Sequence, residues 1–269
     1  AGDISRRLIE RSQKTEVGRI NSSLNTMLGS IEKAMESRGK ALEQMRRFVS
    51  DASHELRTPL ASVRGYAELY RMGALKDKKN LDDAMSRIEA EALRMGGLVD
   101  SLLTLARLDE STQMNLVDTD LVPIAREAAK DASVAEHKRT IVVTNFDGQQ
   151  LDENHHIFAK VDAMAFRQVL TNLLANASRF SPIDREVELV IGLQGHKTVL
   201  EVRDHGEGIP KQLREKVFER FFRADNSRNR ETGGSGLGLS IVKTILDRHG
   251  ATIVALETDG GGTTMRIEL

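Results

Sequence analysis

Residues 24–56 read LNTMLGSIEKAMESRGKALEQMRRFVSDASHEL, and the spacing of their apolar side chains decides the first part of the fold. Steps of three and four residues separate these side chains, and only Arg38 interrupts the pattern. The apolar positions are Leu24, Leu28, Ile31, Met35, Leu42, Met45, Val49, Ala52 and Leu56. A heptad stripe of this kind predicts one long helix with a narrow apolar seam.

A second stripe from Leu81 to Ala106 predicts a partner helix. Pro59 follows the first stripe, but apolar residues continue to Tyr70, so we expect a kink there and not the end of the helix. The short polar segment 73–80 predicts the turn of an antiparallel hairpin. Two helices cannot bury a shared seam alone, so we expect a homodimeric four-helix bundle. The alternative is a hairpin packed on the C-terminal part of its own chain.

After residue 109 the pattern changes to alternating helices and strands, which predicts a separate α/β domain. The predicted helices cover 122–136, 163–179 and 237–249, and the predicted strands cover 140–146, 157–161, 187–193, 198–203, 252–256 and 264–269. The two central strands are expected to form a hairpin through Gln194 and Gly195.

Composition excludes several classes of protein. The 269 residues carry 39 Lys and Arg against 40 Asp and Glu, which gives a net charge of -1 and no reason to expect nucleic-acid binding. The chain has no cysteine and therefore no disulfide or thiolate metal site. No stretch approaches the ~20 apolar residues of a membrane helix. Because the first residues, AGDISRRL, lack an initiator methionine, we expect the chain to be part of a longer protein.

His54 stands out in the segment FVSDASHELRTPL, residues 48–60. It lies two residues from the stripe positions Ala52 and Leu56, about 200° around the helix from each, so it should face solvent. Glu55 flanks it, and Thr58 follows one turn later. A reachable imidazole beside a carboxylate can accept a phosphoryl group. On the His-Glu pair alone, an ordinary surface histidine beside an ordinary glutamate is the favoured interpretation.

A polar face is predicted on the helix at 163–179. Asn172, Asn176 and Arg179 recur at spacings of four and three residues. Carboxamide oxygens suit Mg²⁺, and a guanidinium can hold a phosphate oxygen. The alternative is a solvated helix face, although asparagine is a poor residue for a helix interior.

Two glycine-rich segments, DHGEGIP at 204–210 and GGSGLGLS at 233–240, favour a ligand site. The first follows a predicted strand, where Asp204 offers an acceptor to a base amino group. The second opens a helix, where accessible N–H groups form an anion site. The sequence contains no GxxxxGK[ST] loop and no HRD or DFG motif, and its glycines come too late for a dinucleotide fold. Between the two segments, residues 217–232 combine phenylalanines with an arginine-rich stretch and fit a nucleotide-gated lid.

Taken in order, SHELRTPL, NLLANASRF, DHGEGIP, VFERFFRAD and GGSGLGLSIV resemble the H, N, G1, F and G2 boxes of bacterial two-component sensor histidine kinases. The resemblance covers roughly residues 40–269. It implies a multidomain α plus α/β protein in which a dimeric helical hairpin precedes an α/β sandwich that binds ATP. The implied domains are the C-terminal part of a HAMP domain with a signalling helix at 1–38, a dimerisation and phosphotransfer domain at 39–110, and a catalytic ATP-binding domain at 115–269.

The resemblance also implies roles for individual residues. His54 would be the phosphoacceptor, Glu55 its general base, and Thr58 the hydroxyl that positions water during dephosphorylation of the partner. Asn176 would bind Mg²⁺ with Asn172 as its helper. The other implied nucleotide-binding positions are Arg179, Phe180, Asp204, Gly206, Gly208, Arg223, Gly234, Ser235, Gly236, Leu237 and Gly238.

The activity implied by the resemblance is ATP-dependent phosphorylation of His54, followed by transfer to an aspartate in the receiver domain of a response regulator. ATP and Mg²⁺ are the expected cofactors, and a second copy of the chain and the regulator are the expected partners. The chain would be the cytoplasmic portion of a bacterial inner-membrane protein, attached only through segments upstream. The alternative is an ATP-binding dimer that acts mainly as a regulator phosphatase, and a third interpretation is an ATPase or chaperone of the same nucleotide fold.

Overall fold

A computed structural model describes residues 16–109, 114–135, 139–223 and 235–269. Within these ranges the chain forms five α-helices, seven β-strands and two short 3-10 helices. It divides into two compact units, residues 1–57 and residues 58–269, and the boundary falls inside the first helix.

The first helix, α1, is continuous over Glu16–Arg71 and includes Pro59, so the expectation that the helix passes this proline is confirmed. Its C-terminal end is closed by N–H bonds from Gly73 to Tyr70 O and from Ala74 to Leu69 O, each 3.0 Å long. The second helix, α2, spans Lys78–Asp109. The turn therefore lies where the polar segment 73–80 predicts it.

The apolar stripes of the two helices differ in burial. In α1 most of the stripe is exposed to solvent in the single chain, and its most exposed side chains are Met35, Leu42, Met45 and Val49. In α2, Ala84, Leu98 and Leu105 are buried, and the helix packs against α5 (Gly238–Arg248). The α2 helix thus finds part of its cover within the same chain. None of the described helices has the length and apolarity to cross a membrane.

The α/β part is built on a five-stranded sheet whose strand order is β2-β4-β5-β7-β6. The strands are β2 Ile141–Thr144, β4 Val187–Gln194, β5 Lys197–Arg203, β6 Thr252–Glu257 and β7 Thr263–Glu268. Strand β2 pairs with β4 in parallel, and every other pairing in this sheet is antiparallel. The β4–β5 hairpin turns at Gly195, as predicted, and pairs Gln194 with Lys197.

A second, two-stranded sheet pairs β1 (Val117–Asp120) with β3 (Phe158–Val161) in antiparallel fashion. The sequence pattern predicts β3 but no strand at 117–120. This strand is only four residues long and reads VDTD, so it has no apolar alternation to detect. Its pairing with β3 depends on residues about 40 positions away, from Val117 with Val161 to Asp120 with Phe158.

Three helices cover the larger sheet: α3 (Leu121–Ala135), α4 (Ala163–Phe180) and α5. Helix α4 lies between α3 and α5 and contacts β4 and β5. It begins at Asp162, whose Oδ1 accepts the N–H groups of Met164 and Ala165 at 3.1 Å, as an N-cap aspartate should. The fully buried side chains between helices and sheet include Phe166, Leu170, Leu173, Leu174, Leu189, Ile191, Leu200, Ile245, Leu246 and Ile267. Burying each such side chain contributes about 1.5–3 kcal/mol, so this layer fixes α4 and α5 side by side.

Candidate functional site

His54 lies on α1 with an exposed side chain, as its position between two stripe residues predicts. Thr58, four residues further along α1, is also exposed, and Glu55 is half-buried. An exposed ring can be reached by a phosphoryl donor carried on another surface, which an acceptor imidazole requires. Exposure is therefore confirmed, whereas the chemical role of these three residues stays a prediction.

The polar face of α4 meets the start of α5. Asn172 Nδ2 donates to Gly238 O at 3.3 Å, and Asn172 Oδ1 accepts from Gln168 Nε2 at 3.1 Å. Because both ends of this amide are used, Asn172 ties the two helices together and leaves Asn176 as the amide facing the glycine segment. Asn176 Nδ2 lies 3.8 Å from the position that a Cβ on Gly238 would occupy. The structure thus brings together two blocks that are about 60 residues apart in sequence.

The N-terminus of α5 is built to receive an anion. Its N-cap residue, Leu237, is fully buried and supplies no side-chain acceptor to the first turn. The first N–H groups of a helix have no intrahelical acceptor and lie at the positive end of its dipole. Upstream of Leu237, Phe221 N–H donates to Gly236 O at 2.9 Å and fixes the approach of the chain. Such a terminus attracts phosphate.

Asp204 is a buried carboxylate at the end of β5, with a relative exposure of 8%. Its Oδ1 accepts the N–H groups of Gly206 at 3.0 Å and Thr263 at 2.9 Å, and its own N–H donates to Thr263 O. In the described part of the chain, Oδ2 accepts no hydrogen bond. Burial raises the pKa of Asp204 above its ordinary value of 3.8, and the two N–H bonds oppose that effect. One carboxylate oxygen is therefore held rigidly while the other is available to a ligand.

The turn before β7 positions this carboxylate and was missed by the sequence analysis. Gly262 has φ +115°, and a Cβ there would overlap Asp204 O and lie 2.7 Å from His205 Cα. Only glycine allows this backbone conformation and this close approach together. The run Gly260-Gly261-Gly262 followed by Thr263 was the available signal, but nothing in the sequence paired it with Asp204.

The order and geometry of these blocks agree with two protein-family models. Residues 44–111 match the His Kinase A (phospho-acceptor) domain, and residues 161–269 match the histidine kinase-, DNA gyrase B- and HSP90-like ATPase. The chain belongs to the bacterial two-component sensor histidine kinases. Residues 161–269 of the α/β part therefore form an ATPase-type kinase domain, and residues 44–111, on α1 and α2, form the phospho-acceptor region.

Individual relatives agree with this assignment. The chain is 39% identical over 254 residues to the Mycobacterium tuberculosis protein named "Probable sensor histidine kinase TcrY", with 93% of this chain and 51% of TcrY covered. The solved complex of histidine kinase ThkA with the response regulator TrrA is similar in fold, with a TM-score of 0.69 at 21% identity, and covers 88% of this chain and 65% of the ThkA chain. The structure of full-length ShkA with AMPPNP has a TM-score of 0.53 at 25% identity and covers 80% of this chain and 44% of that one. The chain spans about half the length of the curated relative it matches.

The remaining predicted residues of this histidine kinase chain lie around the same site. Phe180 ends α4 with an exposed ring, and the exposed Arg179 precedes it in the last helical turn. Gly208 lies against Gly262, and Ser235 Oγ accepts the N–H of Leu237 at 3.3 Å. Arg223 follows the half-buried Phe221 and Phe222, close to the start of α5 through the Phe221–Gly236 bond.

Some predictions lie outside the described residues. These are Gly234, the arginine-rich part of the expected lid at 224–232, and residues 1–15 of the expected HAMP segment. The boundaries of the three predicted domains, 1–38, 39–110 and 115–269, also stay predictions.

The side chains at the site offer few ligands to a metal ion. Among the described residues, no group of three or more His, Asp or Glu side chains could hold a metal by itself. A hard cation at this site would therefore need ligand oxygens in addition to the Asn176 carboxamide. Mg²⁺ commonly binds in this way, through nucleotide phosphates, water and few protein ligands, so the residues present fit a nucleotide-borne Mg²⁺.

Proposed function

We propose that this histidine kinase chain transfers the γ-phosphoryl group of ATP to the imidazole of His54 and then to an aspartate of a response regulator. The observation that carries the proposal is the buried Asp204 carboxylate, which keeps Oδ2 for a ligand. The N-terminus of α5, whose N-cap residue makes no side-chain capping bond, supports it as a second feature. In ATP, an adenine amino group and a phosphate chain are the two ends of one molecule. The Asp204 carboxylate suits the amino group, and the N-terminus of α5 suits the phosphates.

Asp204 would read the adenine. Its Oδ2 accepts a hydrogen from the exocyclic amino group, while its Oδ1 is held by Gly206 and Thr263. A 6-oxo purine presents an oxygen at that place and cannot donate. Because a buried acceptor left without a donor is costly, the site should reject such a base strongly.

The phosphates would lie between α4 and α5. The first N–H groups of α5 hold phosphate oxygens, Asn176 serves as the protein ligand of Mg²⁺, and Arg179 and Arg223 supply positive charge. Bound Mg²⁺ neutralises charge on the β- and γ-phosphates. Asn172 contributes by holding Gly238 in place through its own amide.

At His54, a neutral ring nitrogen attacks the γ-phosphorus. A P–N bond forms, the bond between the γ-phosphorus and its bridging oxygen breaks, and ADP leaves. The proton on the other ring nitrogen passes to Glu55, the neighbouring carboxylate. The P–N bond then breaks as the phosphoryl group moves to the carboxylate oxygen of the regulator. The ring nitrogen takes back the proton held by Glu55, so the chain is recovered unchanged.

The partners follow from the same proposal. ThkA is seen with a response regulator, and a receiver domain is the partner we propose for this chain. The exposed apolar stripe of α1 supports a homodimer, since Met35, Leu42, Met45 and Val49 remain largely in water in the single chain. The cytoplasmic location next to a membrane stays a prediction.

Regulator dephosphorylation is proposed as a second activity, supported by the exposed Thr58 hydroxyl one helical turn after His54. Thr58→Ala should slow loss of the regulator's phosphoryl group and leave labelling of His54 intact. If Thr58→Ala removed the main activity of the protein, the chain would instead be mainly a phosphatase.

Incubation with γ-labelled ATP tests the kinase activity. The wild type should acquire acid-labile label, and both His54→Gln and Asp204→Asn should abolish it. His196→Gln, in the exposed β4–β5 turn, and Asp147→Asn, at another exposed turn, are matched controls that should label normally. Full labelling of His54→Gln would overturn the proposal.

A further inference from the structure

Arg139 is a buried guanidinium that no motif in the sequence singles out. It lies just before β2 with 5% relative exposure. Its Nη1 donates to Pro182 O at 2.8 Å and Arg185 O at 3.2 Å, and its Nη2 donates to Ser181 O at 2.9 Å. No carboxylate pairs with it in the described ranges. Both of its Nη atoms donate only to backbone carbonyls, and its buried Nε has no hydrogen-bond partner in the described residues. A buried charge in such surroundings is costly to maintain, so its placement calls for a reason.

The three carbonyls all belong to the segment that follows α4. Ser181 is the C-cap of that helix, where unsatisfied carbonyls and the negative end of the dipole favour a cation. Arg139 is itself anchored to α3, because Ser133 Oγ donates to Arg139 O at 2.7 Å. The side chain therefore fixes residues 181–185 to the α3–β2 region.

The same segment supports the loop that carries Asp204. Ser181 Oγ accepts the N–H of His205 at 3.0 Å. Next to it, a Cβ on Gly206 would overlap Phe180 O and lie 3.0 Å from Phe180 C, so the two backbones are in direct contact. The Asp204 loop is thus held on one side by Thr263 and on the other by residues 180–181.

We propose that Arg139 is a positioning residue for the adenine end of the nucleotide site. It acts through Ser181: the guanidinium fixes the Ser181 backbone, Ser181 holds His205, and this sets the direction of Asp204 Oδ2. The inference rests on the proposed function, since it takes Asp204 as the group that reads the base. A planar guanidinium serves three carbonyls at once, which the single ammonium of lysine cannot do in the same geometry.

The test compares ATP with inosine triphosphate, which has an oxygen in place of the adenine amino group. Equilibrium binding of both nucleotides is measured for the full chain and for Arg139→Lys, Ser181→Ala and the double variant. Arg126→Lys, at an exposed position of α3, is the matched control. Thermal unfolding of each protein establishes that it is folded. If Arg139→Lys does not fold, the comparison is made with Ser181→Ala.

Each single variant should lower the preference for ATP over inosine triphosphate by about fivefold, the effect of losing roughly one hydrogen bond. The double variant should fall no further than the worse single one, because both residues act through one path. Arg126→Lys should keep the wild-type preference.

A purely structural role would weaken both nucleotides alike. An unchanged preference in folded Arg139→Lys and Ser181→Ala, in a wild type that does prefer ATP, would overturn this inference alone. A wild type that binds ATP no better than inosine triphosphate would overturn the proposed role of Asp204 and the inference with it.

Discussion

Alanine at position 262 tests how the turn before β7 positions Asp204. The backbone there has φ +115°, which costs an L-residue about 1–2 kcal/mol. The new Cβ would also overlap Asp204 O, and relieving such overpacking costs a further 1–3 kcal/mol or so. Gly262→Ala should therefore lower the free energy of unfolding of the α/β unit by about 3 kcal/mol.

Gly260→Ala is the matched control in the same turn. Its φ is +85°, but a Cβ at that position meets nothing within 4 Å. It should lose only the backbone part, about 1–2 kcal/mol. The difference between the two variants isolates the contact with Asp204.

Urea unfolding followed by circular dichroism measures both stabilities, and ATP titration measures the consequence for the site. Gly262→Ala should bind ATP at least about tenfold more weakly because Asp204 and His205 must move, whereas Gly260→Ala should bind within about twofold of the wild type. Equal losses of stability and of affinity in the two variants would refute the reasoning.

Three further changes have defined outcomes. Asp204→Asn should leave the free energy of unfolding unchanged or slightly raised, because burial raises the pKa of Asp204 and so makes its ionised form costly at pH 7. The affinity for ATP, measured by titration, should nevertheless fall on the order of 100-fold, since the amide can present a donor to the adenine amino group. Asn172→Ala should lower the free energy of unfolding by about 1 kcal/mol and weaken ATP binding by loosening Gly238, whereas Thr171→Ala, at an exposed position, should do neither. Equal ATP binding by both variants would contradict the role of Asn172 in holding Gly238. Burial tends to raise the pKa of Asp120, but hydrogen bonds from His156, Ile157 and Val122 outweigh this effect and lower the pKa. The stability that this carboxylate provides should therefore be complete above pH 3.8 or so and lost as the pH falls further. In urea titrations, the difference in free energy of unfolding between the wild type and Asp120→Asn should shrink in that acid window and should not grow.

Sequence patterns predicted the long helices and most of the sheet because they depend on local periodicity. The stripe from Leu24 to Leu56 specified α1, and alternation at 187–203 specified the β4–β5 hairpin. The strand β1 was missed because VDTD is made a strand by β3, a distant partner, and not by its own residues.

The sequence singles out the motifs of the candidate site but not the contacts that join them. Asp204, Asn176 and Gly236 were identified, while Gly262, Gln168 and Arg139 were not. Gly262 and Arg139 act through contacts made across the fold, Arg139 with Ser181 and Gly262 with Asp204, whereas Gln168 acts through its neighbour Asn172 on the same helix. Residue type and spacing along one chain carry no record of the two contacts made across the fold.

Locating the phosphoryl group on the protein tests the central claim most directly. The chain is incubated with ATP and Mg²⁺, digested at neutral or alkaline pH to preserve P–N bonds, and analysed by peptide mass spectrometry. The proposed function predicts one added phosphoryl group, on the imidazole of His54. A phosphoryl group found on another residue, or none found on a chain that binds ATP, would contradict it.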